Sequence, residues 1–221
     1  MDDERIKKDI VDELFWDGRI DASDITVRVD GGIVTLSGEV PAFEDISAAR
    51  DAAWSILGVV DVIDNLVVNF PTPPGPPTDD ELEEMANNTL EWNTLIDASK
   101  VKASAAGGLV TLEGTVDAHW KKSYAESLIS GMQGIINVEN RLAVAPTESF
   151  TDEAIADDLV SAMTRDVMVD QDKITVEVKD NTVTLTGSVP SWTMAMEAEK
   201  DASRTPGVVE VHNELGISQF T

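Results

Sequence analysis

The chain has 221 residues, no cysteine, and 16 Lys plus Arg against 42 Asp plus Glu, for a formal charge of −26. Without cysteine there is no disulfide, no thiolate nucleophile and no Cys-ligated zinc, so small domains here are held by packing alone. With no basic segment to neutralise phosphates, a nucleic-acid partner is not expected, and simple attraction to an anionic membrane surface is opposed. The acidity reads either as a solvated, salt-tolerant surface or as one kept for a basic or cation-dependent partner. Aliphatic residues remain plentiful, which sets the chain apart from disordered compositions. Met1-Asp2-Asp3-Glu4-Arg5 is not followed by the apolar core of a secretory signal, and no apolar run approaches the roughly 18 to 20 residues of a membrane span. A cytoplasmic protein with no transmembrane segment is expected.

In chain order, Asp3 stands before Ile6, Ile10 and Leu14, apolar residues four apart that predict one face of a helix with Asp3 as its N-cap. Ile25-x-Val27-x-Val29 alternates as a strand, and Asp30-Gly31-Gly32 supplies residues that tolerate positive φ in a tight hairpin. Gly32-Ile33-Val34-Thr35-Leu36-Ser37-Gly38-Glu39-Val40 then reads as a half-buried strand with a glycine inside it. A second helix is predicted from about Pro41 to Leu57, with Ala49 and Ala53 on one face for close approach to a sheet and Gly58 as its stop. Val59 to Val68 is the last strand.

The same series returns twice more without a gap. Asp79 and Asp152 match Asp3; Gly108-Leu109-Val110-Thr111-Leu112-Glu113-Gly114-Thr115-Val116 and Asn181-Thr182-Val183-Thr184-Leu185-Thr186-Gly187-Ser188-Val189 match the glycine-bearing strand; Val144 and Ile217 match Val68. This predicts an α+β fold of three tandem two-layer sandwiches. Each is helix-strand-strand-helix-strand, with two helices on one face of a three-stranded sheet. The expected boundaries are 3–70 for the first domain, 71–78 for a Pro-rich linker, 79–145 for the second domain, 146–150 for a shorter linker and 151–218 for the third. Extended as polyproline at about 3.1 Å per residue, Pro71 to Thr78 would span roughly 25 Å as a semi-rigid spacer. A domain of about 60 residues buries only about 60% of its chain's surface, so self-association or packing between units is expected.

The opening helix, the I-x-V-x-V strand, the G-x-V-T-L-x-G-x-V strand, the alanine-rich second helix and the closing motif together resemble the BON family, named for bacterial osmotic-stress and nodulation proteins. The closing motif is fullest as Pro206-Gly207-Val208-Val209-Glu210-Val211-His212-Asn213-Glu214-Leu215, with Leu57 and Gln133 in the proline position of the earlier copies. Three copies in one frame, with Leu90-Glu91-Trp92-Asn93 ending the middle copy's first helix, are similar to the cytoplasmic three-BON arrangement. The resemblance implies a non-enzymatic binding module with phospholipid association and stress protection among its roles.

The candidate site residues fall into two groups. Gly38, Gly114 and Gly187 share one strand position and read as a bulge or close helix approach that excludes a side chain. Trp16 and Trp92 are equivalent, with Arg165 in the third copy; Phe43, His119 and Trp192 are likewise equivalent. These aromatic positions read as packing between repeats or subunits, or as an interaction surface for a protein partner or lipid headgroups. His119 and His212 occupy different repeat positions and no metal site is expected. Asp21-x-x-Asp24 and Asp170-x-Asp172 lack the glycine and distal glutamate of a calcium loop and read as caps before strand one. There is no G-x-S-x-G elbow, phosphate loop or H-E-x-x-H, so no catalytic residue, cofactor or enzyme activity is expected. The leading expectation is a binding or scaffolding protein of the stress-response kind; the alternative is a peripheral phospholipid-binding module using exposed aromatics.

Overall fold

The computed structural model describes residues 2–18, 20–70 and 75–218. The part of the Pro-rich spacer from Pro71 to Pro74 lies outside the described residues. Elements follow in the order α1 Asp3–Trp16, β1 Ile25–Asp30, β2 Ile33–Val40, α2 Phe43–Ser55 and β3 Asp61–Val68; α3 Asp79–Trp92, β4 Val101–Ala106, β5 Leu109–Val116, α4 Trp120–Ser130 and β6 Asn137–Val144; and α5 Asp152–Arg165, β7 Ile174–Lys179, β8 Thr182–Val189, α6 Trp192–Arg204 and β9 Glu210–Ile217. A single 3-10 turn, Gln171–Lys173, precedes β7. The series is the α+β pattern read from the sequence, made three times. By density of contacts the chain divides into two compact units. The first repeat lies wholly within one and the third wholly within the other.

Each sheet has three strands in the order β1-β2-β3, β4-β5-β6 or β7-β8-β9, which puts the glycine-bearing strand at the centre. In the first repeat β1 is antiparallel to β2 through Val27↔Leu36, while β3 is parallel to β2 through Leu36↔Asp64. The third repeat has the same registers. The parallel pair follows from chain geometry, because a strand returning alongside another in the same direction needs a long crossover, and α2 supplies it. The hairpin turns use positive φ at both central positions, Gly31 (57°) with Gly32 (80°) and Asp180 (50°) with Asn181 (62°), which matches the strands' own twist.

The core of the first repeat packs Ile6, Ile10 and Leu14 of α1 and Ala49, Ala52 and Ala53 of α2 against Val27, Val34, Leu36 and Val40 of the sheet. Fourfold spacing on α1 and twofold spacing on β2 are what bring these side chains to one side. Alanines on α2 keep that helix near the sheet, and their counterparts Ala125, Ala198 and Ala202 are fully buried too.

Two local readings are corrected. The N-caps lie one residue earlier than the aspartates read from the sequence: Asp2 accepts from the Glu4 N–H at 3.4 Å and Thr151 from the Ala154 N–H at 3.2 Å. Thr78 makes a reciprocal box with Glu81, whose N–H donates to the Thr78 hydroxyl while its carboxylate accepts the Thr78 N–H at 2.8 Å. Asp3, Asp79 and Asp152 are instead the first helical residues, and their carboxylates reach across to the hairpin turn. Asp79 accepts from the Gly107 and Gly108 N–H groups at 2.8 and 3.0 Å, and Asp152 from those of Asp180 and Asn181 at 3.0 and 2.9 Å. The second correction concerns the glycines after the second helices. α2 ends at Ser55 and α6 at Arg204, so Gly58 and Gly207, with φ of 98° and 87°, sit in the turn beyond. There a Cβ on Gly207 would fall 2.6 Å from the Phe150 ring, which packs over that turn.

Candidate interaction surface

Gly38 lies on the same face of β2 as Val34, Leu36 and Val40, with φ of 141°. A Cβ there would stand 1.9 Å from the carbonyl oxygen of Asp24, and Gly114 and Gly187 have the same relation to Lys100 and Lys173 at 2.0 and 2.1 Å. The crowding neighbour is thus the backbone leading into the edge strand, and not a helix packed on the sheet.

The first helices end in apolar side chains that face solvent. Trp16 is 79% exposed, Phe15 beside it 74%, and Trp92 87%. The Phe15 and Trp16 rings meet edge to face with centroids 5.3 Å apart. The third repeat has Arg165 at the tryptophan position, and its apolar groups come slightly later: Val167 is 96% exposed and Met168 50%. Leu95 of the second repeat, equivalent to Met168, is 48% exposed. One turn builds both of these tips: the Leu95 N–H donates to Asn93 Oδ1 at 2.9 Å and the Met168 N–H to Asp166 Oδ1 at 2.8 Å, so the intervening residue is pushed outward. Asn93 is itself held by its Nδ2, which donates to the Tyr124 hydroxyl at 2.9 Å. A side-chain bond from the end of α3 to α4 therefore fixes the second tip.

Sequence reasoning found Trp16 and Trp92 but missed Phe15, Leu95, Val167 and Met168. The available signal was the run of apolar residues immediately after a helix whose apolar stripe had ended. Arg165 obscured it, because residue-by-residue alignment compares single positions while the exposed surface belongs to the whole turn.

The second aromatic position has a different character. Phe43 and Trp192 are the first residues of α2 and α6, His119 immediately precedes α4, and all three are half-buried. His119 Nδ1 is buried without a hydrogen-bond partner, and burial, with the Lys122 charge second, holds the imidazole below its usual range. The structure does not bring this group onto the helix-end tips.

Acidic side chains border the first two tips, while Arg165 and Asp166 precede the third. Asp12 and Glu13 stand with Trp16 in one shallow depression, and Glu91 precedes Trp92. Among the described residues no three His, Asp or Glu side chains gather as a metal site, and no helix is long and apolar enough to cross a membrane.

A central strand pinned to an antiparallel edge on one side and a parallel strand on the other, under two helices and repeated three times, defines a class of small α+β modules whose exposed chemistry lies in turns. The BON domain family matches residues 2–69, 78–146 and 151–219, and the chain belongs to that family. It is 30% identical over 145 residues to osmotically-inducible protein Y of Escherichia coli strain K12, covering 64% of this chain and 72% of that protein. Among solved structures it is similar to the C-terminal domain of CdsD, a structural protein of the type III secretion system of Chlamydia trachomatis. There the identity is 12%, coverage is 99% of this chain and 100% of that one, and the TM-score is 0.27. A second CdsD structure gives 13% identity, 97% and 92% coverage, and the same TM-score of 0.27.

Proposed function

We propose that this chain is a non-enzymatic, cytoplasmic binding module of the osmotic-stress kind that docks on protein surfaces, whether further copies of itself or a partner, through the apolar ends of its first helices. The family and its osmotically inducible relative support the stress-related binding role. The observation that carries the docking surface is that all three repeats expose large apolar side chains where the first helix ends: Phe15 and Trp16, Trp92 and Leu95, Val167 and Met168. Core packing does not need them, and each exposes surface whose removal from water is worth about 25 cal/mol per Å2. Acid around the first two tips opposes anionic lipid and favours a partner with basic residues beside an apolar patch.

Light scattering at low and high salt tests this, on the parent chain and on a variant carrying Trp16→Ser, Trp92→Ser and Val167→Ser. The proposal expects association that grows as salt screens the charge and is lost in the variant; equal masses for both chains would refute self-docking. A second reading, docking on a phospholipid interface, is favoured by the two exposed tryptophans, which settle well at the headgroup level. Co-sedimentation with zwitterionic and anionic liposomes decides it, and binding to neither removes it.

A further inference from the structure

The first repeat holds a cavity of about 350 Å3 between the end of α1 and the edge strand β1. Val11, Leu14, Phe15, Ile20, Ile25 and Val27 form its apolar walls, and Asp21 and Ser23 stand on its rim. We propose that this cavity is a binding site for a small amphipathic organic cation, a primary amine carried on an apolar body about the size of a phenyl ring with a short chain. The volume is at the scale of small-molecule sites, which combine mostly apolar walls with a few placed polar groups.

In the other two repeats the same place is polar, and the second repeat's open depression of about 450 Å3 is lined by Asn87, Ser99, Lys100 and Glu113. Where the first repeat has Val11 facing Val27, the second has Asn87 and Ala103: the Asn87 Nδ2 donates to the Ala103 carbonyl at 2.8 Å and the Ala103 N–H returns to Asn87 Oδ1 at 3.0 Å. In the third, the hydroxyl of Thr164, equivalent to Phe15, donates to the side-chain oxygen of Gln171, equivalent to Ala22, at 2.6 Å. Polar clips join helix to edge strand or its approach in two repeats, and apolar walls replace both clips in the first.

Charge differs at the same place. Asp97 pairs with Lys100 at 3.3 Å and Asp170 with Lys173 at 3.0 Å. The equivalents in the first repeat are Asp21 and Asp24, so the cation of the pair is replaced by a second carboxylate. Asp45 then stands where the second repeat has Lys121, and its carboxyl is raised by burial and by nearby acids that include Asp21. Among the described residues Asp21 accepts from its own turn, the Ser23 hydroxyl at 2.7 Å and N–H at 3.2 Å, and these bonds hold its carboxyl below the usual range, so it is ionised at neutral pH. An apolar pocket bordered by Asp21, with an acid at nearby position 24 where the other repeats carry an ammonium, is complementary to a ligand that brings an ammonium with it.

The test is an NMR titration of the isotope-labelled full chain with three probes sharing one body: 4-phenylbutylamine, 4-phenylbutan-1-ol and 4-phenylbutyrate. Saturable shifts are expected at the amides of Val11, Ala22, Ile25 and Val27, with the amine bound about two- to fivefold more tightly than the alcohol at low salt, the span of an exposed charge pair, and the butyrate weakest. Asp24→Lys, which installs the residue of the other repeats, should bring amine and alcohol to parity while leaving the alcohol unchanged. Asp157→Lys, the same charge change on the exposed side of α5, should leave the preference intact. Val11→Asn should weaken amine and alcohol alike. No saturable shift with any probe, shifts centred elsewhere, equal binding of amine and alcohol, or an Asp157→Lys effect as large as that of Asp24→Lys would each overturn the proposal.

Discussion

Replacing Gly38 with alanine tests the account of the central strand directly. At φ of 141° an L side chain is strained wherever it points, a cost of about 1 to 3 kcal/mol. The added Cβ would also lie 1.9 Å from the Asp24 carbonyl oxygen, which belongs to backbone and cannot rotate away. Relief requires the start of β1 to retreat, which disturbs the Ile25↔Gly38 pairing and gives up about 1 kcal/mol for each ladder hydrogen bond lost. Together these predict a loss of about 3 kcal/mol. Against a stability of roughly 0.05 to 0.15 kcal/mol per residue, that is a large share of what a unit of this size possesses. Gly31→Ala is the control: φ is 57° and nothing lies within 4 Å, so only the left-handed backbone cost of about 1 to 2 kcal/mol applies. Hydrogen exchange of the Val34 and Leu36 amides in the full chain reads the opening of this repeat separately from the other two. Equal losses of protection in the two variants would refute the close-approach argument.

Three further outcomes follow from named contacts. Asp152→Asn should lower the stability of the third repeat by about 1 to 2 kcal/mol, because one of the two turn N–H groups would then face an amide NH2; exchange at Asp180 and Asn181 measures it, and unchanged protection would count against the clamp. The Asp79 carboxyl is held low by the Gly107 and Gly108 N–H bonds. Its contribution is therefore present above the ordinary carboxylate range and lost as pH falls through the depressed value. Asp79→Asn should remove that acid-side slope, which an acid titration of the second repeat's amides would show. Asp201 goes the other way: burial and the neighbouring Asp166 raise its carboxyl, and one oxygen is buried without a partner. The charged form is penalised near pH 7, and stability rises as pH falls through the raised value toward that of the unfolded chain. Asp201→Asn should stabilise the third repeat by under about 1 kcal/mol at pH 7 after allowance for solvent screening, with the gain fading in acid; a loss at pH 7 would contradict it.

The fold was legible because its signals are periodic and local. Fourfold spacing of Ile6, Ile10 and Leu14 and twofold spacing of Val34, Leu36 and Val40 each state a face, and threefold recurrence removed the ambiguity of any single copy. What failed was a matter of one residue or one turn. The aspartate at the head of each first helix looks like an N-cap in sequence, because the partners that claim it, the hairpin N–H groups, are about 28 residues away and periodicity carries no information on them. The parallel placement of β3 was likewise not written in any local pattern; it follows from the crossover through α2. At the surface, Trp16 and Trp92 were visible as odd residues, whereas Val167 looked like part of an ordinary helix-to-strand connection until its exposure was known.

A triple repeat separates two kinds of position without any outside comparison. Where the three copies agree, as at Gly38, Gly114 and Gly187 or at Asp3, Asp79 and Asp152, the residue answers to a backbone contact that every copy must make. Where they disagree at one place in the same fold, the fold has left the choice open. The helix-end turn keeps its apolar character in all three copies while tryptophan recurs only at Trp16 and Trp92, which fits a surface selected for stickiness and not for a particular side chain. The groove beside β1 changes in kind, from a polar clip with a neutralised acid to an apolar hollow with two acids. Those two patterns of variation predict different behaviour: exchanging the 15–18 turn for residues 91–94 should preserve docking, because any apolar tip serves. Exchanging Val11 and Asp24 for Asn87 and Lys100 should abolish the preference for an amine while leaving the protection of Val34 and Leu36 intact, since neither side chain belongs to the fully buried core.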